Sequence, residues 1–172
     1  SSDEIIFSSN RNNKTLGTNI LDKDFDLFKL KTSNNKIISL TNSNEIDERQ
    51  PQPVENKNYH YLSDKNGIFN HYQTIIDSTI SHIDTMIHYR YTSSSQQLSN
   101  FKRNILEINF SRNLKQYGLL YRLNNEYDFY IGDKNNSVIF ENTFSETYFK
   151  NIASKKTEIK KTNQNNIEKD KI

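Results

Sequence analysis

A chain of 172 residues suits one domain with a small appendage. Only 33% of it is hydrophobic and the mean hydropathy is −0.91, so isoleucine, phenylalanine and tyrosine must carry the core in a chain with one methionine and no tryptophan. Acids and bases are interspersed at a net charge of +2, which is no general footprint for nucleic acid or anionic membrane, and the lack of cysteine excludes a disulfide framework, thiolate catalysis and thiolate metal sites.

The 25 asparagines, with the excess of Ile, Lys, Tyr and Phe over Ala, Gly and Pro, fit an AT-rich coding sequence, so polarity alone is not read as disorder. No apolar run approaches the roughly 20 residues of a transmembrane helix, and the chain is expected to be soluble. It opens Ser-Ser-Asp-Glu without an initiator methionine, as a processed or trimmed product does. Compartment is therefore left open. Sequons at Asn13, Asn109 and Asn135 are expected by chance in so Asn-, Ser- and Thr-rich a chain and say nothing about secretion.

In chain order, residues 24–41 read as a β-hairpin. Phe25 and Leu27 alternate with aspartates, and Phe28 and Leu30 with lysines. The slip between Leu27 and Phe28 suggests a bulge, and Asn34-Asn35 suits the turn. Residues 42–58 hold both prolines, Pro51 and Pro53, and read as a linker. Over 66–91 the apolar positions Ile68, Phe69, Tyr72, Ile75, Ile76, Ile80, Ile83, Met86 and Ile87 recur by threes and fours, which predicts a long amphipathic helix despite its many β-branched residues. Residues 101–114 fit helix and strand equally. From Tyr117 to Asn142 a three-stranded meander is predicted, turning at Asn124-Asn125 and again across 132–136, with Leu119, Tyr121 and Leu123 inward and Leu120 and Arg122 outward. Thr143 and Glu146 have capping-box spacing ahead of a short helix carrying Phe144, Tyr148, Phe149 and Ile152. The tail from Lys155 lacks an apolar period.

The histidines cluster in and around this helix. On a helix, His71 and His82 share a side but lie about 16 Å apart, too far for one metal ion; both are expected half-buried at the edge of the stripe. Asp84 and His88, at i and i+4, could supply two ligands or an exposed ion pair, but a metal site needs a third and usually a fourth ligand, so none is assigned. His60 is read as a loop residue. No nucleophile elbow is present, and four glycines build no phosphate-cradling loop. Asp128 and Asp133 read as turn-flanking acids.

The expected fold is therefore α+β: a long amphipathic helix on a three- to four-stranded antiparallel meander, with an N-terminal hairpin and a short C-terminal helix. The expected division is 1–58 as hairpin arm and linker, 59–154 as core and 155–172 as a polar, partly basic tail. The function favoured is a non-enzymatic interaction or structural subunit of a larger assembly, its partner another protein or a second copy, docking through Phe25, Phe28, Ile38 and Leu40. Two alternatives are carried. One is a nucleic-acid-associated protein using the tail and Lys102, Arg103, Arg112, Lys115, Arg122 and Tyr130, where outward tyrosine and nearby arginine would stack bases. The other is a small hydrolase using His88 and Asp84. No cofactor or catalytic residue is assigned.

Overall fold

A computed structural model describes residues 3–10, 24–43, 45–55, 57–111, 113 and 115–134, apart from the side chains of Tyr89 and Tyr91. Among the described residues there are ten strands and no α-helix, which overturns the α+β expectation. None of them forms a helix long and apolar enough to cross a membrane. The predicted helix at 143–152, the third meander strand and the tail fall outside the described residues.

The strands form three antiparallel sheets. The first has the order β1 (Glu4–Ser9), β2 (Asp26–Lys31), β3 (Lys36–Ser39). The second runs β4 (Glu48–Glu55), β5 (Asn58–Ser63), β6 (Asn70–Ile83), β7 (Ile87–Gln97). The third is β8 (Ile105–Phe110), β9 (Gln116–Leu123), β10 (Glu126–Asp133).

The middle sheet is covered on both faces. On one face Tyr59, Tyr61, Tyr72 and Ile76 pack with Leu27 and Leu40 of the first sheet's hairpin. On the other, Leu62 packs with Ile105, Ile108, Tyr117 and Leu119 of the third. This explains β5, Asn-Tyr-His-Tyr-Leu-Ser, in which every residue after the first is buried; a strand covered on both sides shows no alternation of polarity. His60, read from sequence as a loop residue, is on this strand and 2% exposed.

The hairpin at 24–41 forms, but its loop is the four residues 32–35 rather than a tight turn on Asn34-Asn35, and of these two only Asn35 has a positive φ. Its pairing is in continuous register, so the expected bulge between Leu27 and Phe28 is absent. Both residues are buried instead, because they point to opposite, covered faces. The Asn124-Asn125 turn is as predicted: both residues have positive φ, and the two-residue loop closes β9 on β10. Residues 105–110 resolve to strand.

Two further expectations fail. The proline-containing linker is β4, the edge strand of the middle sheet, where proline costs no ladder bond. Register shifts interrupt its pairing on either side of Gln52-Pro53. At the first shift Gln50 takes a φ of 51°, and its side-chain amide accepts from Ile108 N–H at 3.0 Å and donates to Leu106 O at 2.8 Å, tying β4 to β8. The predicted helix at 66–91 is the hairpin β6–β7, turning at residues 84–86. Its spacings of four, Tyr72–Ile76–Ile80, are even numbers and so satisfy a strand face as well as a helix face. The spacing of three from Ile80 to Ile83 should break a strand pattern. A bulge absorbs it: Ile80 pairs with Tyr89 and His82 with His88, leaving Ser81 unopposed, so Ile83 returns to the face of Ile80.

Candidate functional site

The β6–β7 hairpin has a root and a tip of different character. At the root β6 pairs with β5 on one edge, as far as Asn58 opposite Ile75, and Ile76 N–H donates to Lys57 O at 3.0 Å. Beyond that, among the described residues, β6 has only β7 as a neighbour. At roughly 3.3 Å per residue the ribbon from Asp77 to Ile83 reaches about 20 Å past the sheet.

At the root two histidines are buried together. Register sets Leu62 opposite His71 and His60 opposite Gln73, so the two imidazoles are diagonal neighbours on one face, His60 Nδ1 lying 2.8 Å from His71 Nε2. The rings of Phe110 and Tyr117 from the third sheet close over them edge-on, at 4.9 Å from His60 and 5.0 Å from His71. His60 Nε2 and His71 Nδ1 have no hydrogen-bond partner. Burial disfavours the imidazolium, driving His60 down to about 4, with nearby Lys134 adding to the effect, and His71 to about 3, with His60 adding. A neutral pair holds one shared N–H and leaves its two outer nitrogens without a hydrogen-bond partner. Its two rings are 2% and 0% exposed and packed against aromatic side chains, so it reads as a polar core element.

Beside it, Asn70 organises the return of the chain. Its Oδ1 accepts from Ser99 Oγ at 2.9 Å and Phe101 N–H at 2.7 Å, while His71 N–H donates to Ser99 Oγ at 2.9 Å. On the face away from the two histidines Glu48 is buried, with Oε2 unpartnered, and burial raises its carboxyl to about 7.

At the tip the environment inverts. Ile80, Ile83, Met86 and Ile87 are 56%, 68%, 66% and 51% exposed, although Ile80, Ile83 and Ile87 continue the face that buries Tyr72 and Ile76 at the root. The other face carries His82 opposite His88, their rings stacked at 4.1 Å and 5°. Asp84 opens the turn. Its Oδ1 accepts from Met86 N–H at 2.9 Å, its two oxygens each lie 3.1 Å from His88 Nε2, and Oδ2 lies 3.9 Å from His82 Nε2. The Met86 N–H and then His88 hold the Asp84 carboxyl below its usual range. The ligand atoms of His82, Asp84 and His88 all lie within 4.8 Å of one another. The sequence reading found Asp84 with His88 but set His82 aside, because a helix places it elsewhere.

The other predicted site residues are not brought together. Phe28, Ile38 and Leu40 are buried, Phe28 stacked on Phe7 at 5.8 Å and Leu40 in the cluster with Tyr61. Phe25 is half-buried under the guanidinium of Arg49, which is held between it and Phe69 at 5.2 and 5.3 Å. Lys102, Arg103 and Lys115 are exposed. Arg112 lies outside the described residues. Arg122 lies over Tyr127 at 6.0 Å on the outer face of the third sheet, whereas Tyr130 pairs with buried Leu119 and meets Phe101 at 5.7 Å on the inner face. Tyr130 and Arg122 therefore do not form one stacking platform. The outer face also exposes Phe129 and Ile131, and the chain runs on from this strand into residues 135–172, outside the described set.

The chain matches no protein-family model and no curated protein.

Proposed function

We propose that this protein is a non-enzymatic interaction subunit that docks on another protein, or on a second copy of itself, through the β6–β7 ribbon. The observation carrying this reading is the run of exposed Ile80, Ile83, Met86 and Ile87 on a ribbon with no further strand beside it among the described residues. Clustered apolar side chains on a projecting element mark interaction surfaces, and an isolated two-stranded ribbon is marginal in water by itself. Beyond Ile76, edges that no other described strand pairs offer a partner backbone hydrogen bonds as well as an apolar face.

This reading moves docking from the hairpin at 24–41 to the ribbon, since Phe28, Ile38 and Leu40 already serve the fold. A hydrolase based on His88 and Asp84 is disfavoured by geometry: the pair is on the open side of the ribbon, and the hydroxyl in contact, Thr85 Oγ1, is itself 3.5 Å from Asp84. The test is Ile80→Ser with Ile83→Ser in the full chain. Size-exclusion with light scattering reports self-association, and pull-down from a native extract reports other partners. The expected result is loss of association with an unchanged melting temperature. Association undiminished in the double variant overturns the reading.

A further inference from the structure

The strongest unassigned chemistry is on the polar face of the same ribbon, and it rests on different residues from the docking face. We propose that His82, Asp84 and His88 bind one first-row transition cation, of which zinc is the representative, with the remaining coordination position open to water.

The donor set is two imidazole nitrogens and one carboxylate oxygen, the composition that selects zinc, nickel or copper over magnesium or calcium. Ligands bound at 2.0–2.1 Å in a tetrahedron stand about 3.3 Å apart. The carboxylate already stands 3.1 Å from His88 Nε2 and 3.9 Å from His82 Nε2. Closing the remaining gap needs ring rotation about χ2, a broad torsion, and both rings are free of the core.

Three devices pre-organise the set. The ladder register places His82 opposite His88. Stacking of the two rings holds the imidazoles side by side, 4.1 Å apart, on one face of the ribbon. The Met86 N–H holds Oδ1 of Asp84 and leaves Oδ2 turned to both imidazoles. In the metal-free protein a proton on His88 Nε2 bridges to the carboxylate. The cation takes the lone pair of Nε2, so in a neutral ring that proton passes to Nδ1 and only an imidazolium would give one to solvent; no redox change is involved.

Isothermal titration of the tag-free full chain with zinc chloride tests this. The expected result is saturation at one ion per chain, with magnesium and calcium giving no heat. His82→Ala, Asp84→Asn and His88→Ala are each expected to weaken binding about 100-fold or more, as loss of a ligand exceeds the 10- to 100-fold typical of an outer-sphere partner. Cobalt(II) added to the parent protein should give intense visible bands of tetrahedral coordination that zinc bleaches. That readout needs no variant to fold. The Ile80→Ser, Ile83→Ser protein should bind zinc like the parent, which separates this proposal from the docking reading. No zinc heat and no zinc-displaceable cobalt bands in the parent, or unchanged affinity in His82→Ala and His88→Ala, overturn it.

Discussion

The four histidines of this chain form two pairs, and the pairs are opposites. His60 and His71 sit on adjacent strands, buried against Phe110 and Tyr117, and share a hydrogen bond. His82 and His88 sit on paired strands, His82 about 35 Å along β6 from His71 at roughly 3.3 Å per residue, stacked in the open beside a carboxylate. The local chemistry is alike; what differs is how many sheets cover the strand. The same contrast runs through the isoleucines. Ile76 is 5% exposed and Ile83 is 68%, on one face of one strand. Position along a hairpin, rather than residue type, therefore separates what holds the fold from what is left to meet a partner.

The sharpest break in the comparison comes from placing one charge at each end. Ile76→Asp buries a carboxylate among Tyr59, Tyr61 and Tyr72 and should cost about 3 to 5 kcal/mol or prevent folding. Ile83→Asp should change stability by about 0.5 kcal/mol or less. Denaturant titrations of the two proteins decide it: equal midpoints would erase the distinction between root and tip.

Acid should find the root next. The unfolded chain protonates histidine near 6.5, whereas folded His60 and His71 resist protonation until about 4 and about 3. The unfolded state thus binds more protons in that window, so stability present above pH 6.5 is lost as pH falls toward 4, by an amount on the order of a few kcal/mol. Glu48 runs the other way. Its folded carboxyl titrates at about 7 against 4.5 ordinarily, so the folded state binds more protons between those values and its contribution declines as pH rises. Glu48→Gln should therefore steepen the acid loss between pH 6.5 and 4.5. Melting temperature against pH for the parent and the variant measures both; a parent profile flat down to pH 4 would contradict the buried neutral pair.

A smaller effect is expected at the wall of that pocket. Gly132 pairs with Tyr117, and a Cβ there would meet the Tyr117 ring at 2.5 Å. Gly132→Ala must shift the ring that packs on His71, at a cost of about 1 to 3 kcal/mol. Gly118, on the neighbouring strand, has open space at the same atom, and Gly118→Ala should cost less. Equal losses in urea unfolding would mean that the ring is free to move.

What the sequence determined by itself was local. Asn124-Asn125 announced a primed turn because few residues other than glycine accept two successive positive φ angles, and the flanking alternation announced the strands. The hairpin at 24–41 was legible from its alternation, although its loop is four residues long and, of Asn34-Asn35, only Asn35 takes a positive φ. Asp84 and His88 were found as a pair because four residues of chain keep them close, whether as a helical turn or across a three-residue loop. Tertiary structure decided the rest. A spacing of four is common to helix and strand, and only the bulge at Ser81, formed against β7, made the spacing of three compatible with a strand. Neither the meeting of His60 with His71 nor that of His82 with His88 is written in any local period; each follows from strand register, which is set by which faces other sheets cover. Pro51 and Pro53 read as linker residues until β4 proved to be an edge, where a missing N–H costs nothing. The apolar face of the ribbon is the residue of that process: a pattern of isoleucines identical to the core's, extended beyond the point where the chain has a strand to cover it among the described residues.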